Sequence, residues 1–189
     1  KNFEEKFNVI VSEGYGLSEA SPVTCFNPID RPRKPGSIGT SIINVENKVV
    51  NELGEEVPPG QVGELIVKGP NVMKGYYKNE SATKAVLEDD GWLHTGDMCT
   101  MDSDRTIYIR GRCKTMILSG SGQNIYPEEI EERLNNLYMV AESLVIENNG
   151  RLTALVVPDY ELANAEGVAL DNLQEIMDEN LKQLNTMVA

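Results

Sequence analysis

An α+β fold, in which a β-rich segment precedes a smaller one of mixed α and β, is what this sequence predicts. Three observations carry it. Residues 42–50 and 62–67 are β-rich and are separated by Asn51-Glu52-Leu53-Gly54 and Pro58-Pro59-Gly60, the spacing of consecutive antiparallel strands. Residues 92–100 and 105–109 flank Asp102-Ser103-Asp104 and read as a hairpin. After Lys114 the pattern changes: Ile130, Leu134 and Leu137 recur at helical spacing, and Asn149-Gly150, which tolerate positive φ, join strand-like runs at 140–147 and 152–157.

The remaining elements follow in chain order. Val9-Ile10-Val11 is a short apolar run before Glu13-Gly14 and reads as a buried strand. Residues 21–36 hold Pro22, Pro28, Pro32 and Pro35 and read as a surface loop. A short helix is expected over 79–88, capped by Asn79 or Ser81, with Ala82, Ala85 and Val86 on one face and Asp89-Asp90-Gly91 ending it. Pro127 suits a first helical position, where its missing N–H costs nothing, and Glu128 and Glu129 suit the positive end of a helix dipole over 127–137. Near the end, Leu173, Ile176, Met177, Leu181 and Leu184 mark an amphipathic helix whose stripe belongs to the core. The domain boundary falls at Arg112–Lys114, giving domains 1–112 and 113–189.

Composition narrows the function. The chain has 189 residues, 40% hydrophobic and 25% charged, with net charge −13. That length allows one or two globular domains. Such acidity argues against a nucleic-acid surface, which needs clustered Lys and Arg. No apolar run approaches the ~20 residues of a membrane span, and no signal peptide is visible. The opening Lys1-Asn2-Phe3 suggests a cut-out or processed piece. Cys25, Cys99 and Cys113 form no CxxC pair, so a zinc site is not expected, and reduced thiols point to the cytoplasm. Asp102-x-Asp104 lacks the further ligands of a calcium loop. The lone His94 reads as an ordinary, partly buried histidine.

Chemistry concentrates in three segments. In Gly14-Tyr15-Gly16-Leu17-Ser18-Glu19-Ala20-Ser21-Pro22 the glycines allow close backbone approach, Tyr15 offers a face for stacking, Ser18 a hydroxyl for phosphate, and Glu19 a carboxylate suited to Mg²⁺. A glycine-rich strand-to-loop turn with a solvated Glu explains the same residues. In Gly91-Trp92-Leu93-His94-Thr95-Gly96-Asp97, Asp97 could accept two ribose hydroxyls or simply cap its turn. Residues 111–131, Gly-Arg-Cys-Lys-Thr-Met-Ile-Leu-Ser-Gly-Ser-Gly-Gln-Asn-Ile-Tyr-Pro-Glu-Glu-Ile-Glu, run from a basic strand end through a Ser/Gly loop into a helix start.

These segments, in this order, resemble the motifs of the adenylate-forming acyl-CoA synthetases, and the form of 117–125 resembles that of long-chain fatty acid–CoA ligases. Ser18 stands where the family usually has Thr, His94 where Arg or Lys is frequent, Thr115 where an acid is common, and Gln123 where Lys is frequent. The resemblance implies a distorted barrel-like β segment joined by a hinge to a small, truncated C-terminal domain. It implies that ATP is held by Gly14, Tyr15, Gly16, Ser18, Asp97 and Arg112, Mg²⁺ by Glu19, that Lys114 is the hinge, and that Gly122 lines the route of the coenzyme A thiol. The implied reaction converts a fatty acid and ATP to acyl-AMP and then to acyl-CoA. The family's phosphate loop precedes these motifs and its catalytic Lys lies beyond Ala189, so this polypeptide alone is expected not to adenylate. Peripheral membrane contact is expected only of a full-length protein. An amino-acid-adenylating domain and a non-catalytic nucleotide-binding or interaction module are the alternatives.

Overall fold

A computed structural model describes residues 2–30, 32–119 and 122–187. The chain divides into two compact units, Lys1–Cys113 and Lys114–Ala189.

The first unit runs α1 (Asn2–Phe7), β1 (Gly14–Gly16), a 3-10 turn (Ser18–Ala20), β2 (Val23–Phe26), β3 (Thr40–Ser41), β4 (Glu46–Val50), β5 (Gly63–Lys68), α2 (Glu80–Lys84), β6 (Leu93–Met101) and β7 (Ile107–Arg112). Antiparallel pairing makes one sheet of order β1-β2-β3 and another of order β4-β5-β6-β7. Alternation along β5 and β6 sends Leu65, Val67, Cys99 and Met101 inward, where Val49, Ile107 and Cys25 meet them. Leu65 is wholly buried, and such burial contributes about 1.5–3 kcal/mol. The β-rich segment is two open sheets and not a closed barrel: a single bridge, Gly39–Ile107, links β7 to the edge beside β3, and among the described residues no pairing closes β4 onto β1.

Other departures have local causes. Residues 9–11 form no strand: the Val11 N–H donates to Glu4 Oε1 at 2.9 Å and its carbonyl accepts from Arg33, so side chains take the bonds a neighbouring strand would. Val9, Ile10 and Val11 are exposed. Within the expected loop 21–36, Val-Thr-Cys-Phe between Pro22 and Pro28 forms β2, because a segment with three good β-formers (Val23, Thr24 and Phe26) finds β1 on one side and β3 on the other. The run 42–50 is broken at Asn44, whose φ is 64°. Asn79, not Ser81, caps α2, accepting from Ala82 N at 3.0 Å. That helix ends at Lys84 because Val86 O accepts from His94 N at 2.7 Å and Leu87 bridges Leu93, which pulls the chain towards β6. Ala85 is consequently exposed. Lys34 sits 2.6 Å from Asp102 and 2.8 Å from Asp104, so one cationic side chain pairs with both acids of Asp-x-Asp.

The second unit runs β8 (Ile117–Leu118), β9 (Asn124–Ile125), α3 (Pro127–Asn135), β10 (Val140–Asn148), β11 (Arg151–Pro158), α4 (Tyr160–Glu166) and α5 (Leu170–Met187). Asn149 and Gly150 turn β10 into β11 with φ of 52° and 74°. Leu134 of α3, Val145 of β10 and Leu184 of α5 form its core, with Ile130 and Leu137 beside them. A second cluster holds Met139, Ala163 and Leu173. Leu181, expected in the core, is exposed; the buried position on that turn of α5 is Asn180, whose Nδ2 donates to Tyr138 O at 2.8 Å. Helix α4 was not expected, although its signals were present: Asp159 accepts from Leu162 N at 2.9 Å and Gly167 ends it at φ 71°.

Candidate functional site

Asp97 is the centre of the first unit's polar site. The register of β6 and β7 sets Arg112 directly across from it, and Arg112 Nη1 donates to Asp97 Oδ1 at 2.7 Å. Its other oxygen, Oδ2, accepts the Tyr15 hydroxyl from β1, a contact spanning 82 residues of sequence. Only 6% of Asp97 is exposed. Burial, and then the Asp97 carboxylate, push the Tyr15 phenol well above its ordinary range. Arg112 is shifted upward by the same carboxylate. Asp97 does not cap its own turn: Thr95 Oγ1 does that, accepting from Asp97 N at 3.1 Å and donating to Leu65 O at 2.7 Å. Two oxygens offer about four acceptor directions. After Tyr15 and Arg112 are served, capacity for a vicinal diol remains.

Gly96, at φ 73°, supplies the turn that aims Asp97. Its N–H donates to Glu64 Oε1 at 3.0 Å and its carbonyl accepts from Cys113 N at 2.8 Å. His94, one residue before Thr95, places Nδ1 2.8 Å from Glu64 Oε2 and Nε2 2.8 Å from Glu88 Oε1. Sequence reasoning missed Glu64 because it lies 32 residues from Gly96 and carries no local signal.

The segment after β1 presents Ser18 and Glu19 on the 3-10 turn, Ser18 exposed and Glu19 partly so. Glu19 Oε1 accepts the Tyr76 hydroxyl at 2.9 Å, and Glu19 O accepts Met73 N at 2.7 Å, so residues 69–77 brace the turn. Tyr76 is a second participant that sequence reasoning missed. Among the described residues no cluster of three or more His, Cys, Asp or Glu could hold a metal. One carboxylate fits Mg²⁺ nonetheless, since that ion keeps several waters and combines one or two carboxylates with substrate phosphates.

The glycines of β1 also have a requirement within the fold itself. A Cβ on Gly16 would lie 1.9 Å from Pro22 O, and one on Gly14 would lie 2.5 Å from Phe26 Cδ2. Packing against β2 therefore suffices to require them. In the second unit Lys114 is exposed. Gly122 has φ 81° with open space where a Cβ would project, so its requirement within this chain is conformational rather than steric. Among the described residues no helix is long and apolar enough to cross a membrane.

Residues 1–77 match the family described as AMP-binding enzyme. With the motifs and the fold, this places the chain in the AMP-binding, adenylate-forming family. It is 39% identical over 189 residues to the probable acyl-activating enzyme 16, chloroplastic, of Arabidopsis thaliana, covering 94% of this chain and 26% of that protein. It is 47% identical over 146 residues to the long-chain-fatty-acid–CoA ligase of Bacillus subtilis (strain 168), covering 77% and 26%. Among solved structures, O-succinylbenzoate coenzyme A synthetase from Bacillus subtilis, in complex with ATP and magnesium ion, superposes with a TM-score of 0.75 at 33% identity, over 86% of this chain and 36% of that one. The chain spans about a quarter of the length of these curated relatives.

Proposed function

We propose that this chain carries the nucleotide-holding part of an ATP-dependent acid–thiol ligase, which activates a carboxylate as acyl-AMP and passes the acyl group to coenzyme A. The observation that carries it is Asp97: a buried carboxylate, fixed by Tyr15 and Arg112, with acceptor capacity left for a ribose diol. Arg112 adds a cation beside that ribose, and Tyr15 offers its ring to the base while its hydroxyl keeps Asp97 oriented. Ser18 and the backbone of Gly14–Gly16 face the phosphates. Mg²⁺, when bound at Glu19, neutralises phosphate charge, and Tyr76 keeps the Glu19 carboxylate in one rotamer. Activation of this kind rests on positioning and charge neutralisation. Lys114, the first residue of the second unit, serves as the hinge, and Gly122 lies on the thiol's route. A long-chain fatty acid is the acid we favour, on the 47% identity to the Bacillus ligase. The free thiols of Cys25, Cys99 and Cys113 suit a reducing cytoplasm.

Calorimetric titration with AMP tests the reading. Asp97→Ala is expected to weaken AMP about tenfold or more, the equivalent of about 1.4 kcal/mol. Equal affinity in wild type and variant would overturn it. Glu19→Gln should leave AMP binding intact and remove the Mg²⁺ dependence of ATP binding.

A further inference from the structure

The bonds around His94 form a chain that ends at Asp97. Glu64, on β5, uses one oxygen for the Gly96 N–H and the other for His94 Nδ1. Glu88, in the turn after α2, takes His94 Nε2. A neutral imidazole has one N–H, so it can serve only one of these carboxylates and turns a lone pair to the other; the imidazolium donates to both. The arrangement therefore fits the charged ring. Gly96 is pinned at both peptide ends, by Glu64 and by Cys113 N, and its φ of 73° sets where Asp97 begins.

We propose that Glu64 is a positioning residue for Asp97, and that His94, held as an imidazolium between Glu64 and Glu88, locks Glu64 in place and makes nucleotide binding sensitive to pH. The nucleotide part rests on the function proposed above. His94 is 30% exposed, Glu64 24% and Glu88 45%, so the clamp is reachable by protons yet partly shielded. Burial opposes the charge, but the two carboxylates outweigh it and raise the imidazole above its ordinary value of 6.5. The other charged groups on this face are engaged elsewhere. Lys48 and Lys68 stand over the Trp92 ring at 4.5 and 5.5 Å, and Lys68 pairs with Asp90 at 3.6 Å. The Cys113 thiol, pushed up to about 11 by burial and the nearby carboxylates, stays neutral over the relevant range. Asp97 is paired with Arg112. As pH rises through the His94 midpoint the ring loses one proton and one of its two anchors, and in the tautomer that keeps the proton on Nε2 it is Glu64 that loses its donor and loosens from Gly96.

The chain has one histidine, so ¹⁵N-histidine NMR yields a single ring titration. The expected midpoint lies above 6.5 and falls in both Glu64→Gln and Glu88→Gln. The Gly96 amide should follow the same midpoint in wild type and lose that dependence in Glu64→Gln. AMP affinity should fall about threefold across the step, the scale of one weakened hydrogen bond, and the step should move with the midpoint in Glu88→Gln. A midpoint unmoved by either substitution, or a Gly96 amide that does not follow it, overturns the clamp. AMP affinity flat across a step that Gly96 does follow overturns its link to nucleotide. Failure of AMP to bind at any pH removes the nucleotide reading instead, and the His94 and Gly96 titrations still decide the clamp.

Discussion

Removing the Tyr15 hydroxyl tests how Asp97 is held. Tyr15→Phe deletes one donor and leaves the ring packed against the first unit's core. A hydrogen bond to a charged, buried acceptor contributes about 1.5–3 kcal/mol, and Asp97 retains Arg112, so the expected loss is about 2 kcal/mol. Asp97→Asn keeps the shape but replaces one acceptor oxygen with an NH₂, so either Tyr15 or Arg112 meets a donor. The Arg112 share is small, about 0–1 kcal/mol, because its side chain is 57% exposed and solvent screens the pair. The double variant should therefore lose about 1–2 kcal/mol less than the two single losses added together. Urea unfolding followed by Trp92 fluorescence reads this cleanly, since the single tryptophan lies in the first unit. A Tyr15→Phe loss under about 0.5 kcal/mol, or additivity within that margin, refutes the coupling. The same contact has a pH signature. The folded tyrosine keeps its proton where the unfolded one loses it, near its ordinary 10, so stability is full below about 10 and falls above it. Tyr15→Phe should flatten that fall.

Further outcomes follow from particular contacts. Gly16→Ala places a Cβ 1.9 Å from the Pro22 carbonyl, a backbone atom that cannot swing aside; a loss of about 1–3 kcal/mol is expected, and an unchanged urea midpoint would contradict the β1–β2 packing. Asn180→Ala leaves Tyr138 O without its 2.8 Å donor; a loss of about 2 kcal/mol should appear in helical circular dichroism at 222 nm, and wild-type stability would remove Asn180 from the core. Lys34 holds the Asp104 carboxyl down at about 2, so the pair's stabilisation is present above the ordinary 3.8 and lost as pH falls towards 2. In Lys34→Met, carboxyl ¹³C NMR should show the Asp104 midpoint moving back towards 3.8, and a midpoint still near 2 would rule out Lys34 as the cause.

Local signals were legible where bonding is local. The Asn149-Gly150 turn, the Pro127-Glu128-Glu129 helix start and the stripe Ile130, Leu134 and Leu137 all formed, because positive φ, a missing N–H and 3.6-residue periodicity act within a few residues. The misread segments were those whose partners are distant in sequence. Residues 9–11 looked like a strand but were bonded by Glu4 and Arg33, whereas residues 23–26 looked like loop but found β1 and β3. Leu181 matched the helical stripe, yet Asn180 was buried because Tyr138 O needed a donor.

For the site the division is similar. By itself the sequence named the groups proposed to carry the chemistry: Tyr15, Ser18, Glu19, Asp97 and Arg112 stand out by residue type and by the order of the motifs that resemble the family's. Tertiary structure alone decided what each group touches. Strand register put Arg112 opposite Asp97, and sheet packing brought Tyr15 across 82 residues to the same carboxylate. It also supplied Tyr76 to Glu19, and Glu64 with Glu88 to His94. A motif fixes donors and acceptors along the chain, but a carboxylate's direction is set by whichever buried donors the fold delivers to it, and those carry no nearby mark in sequence.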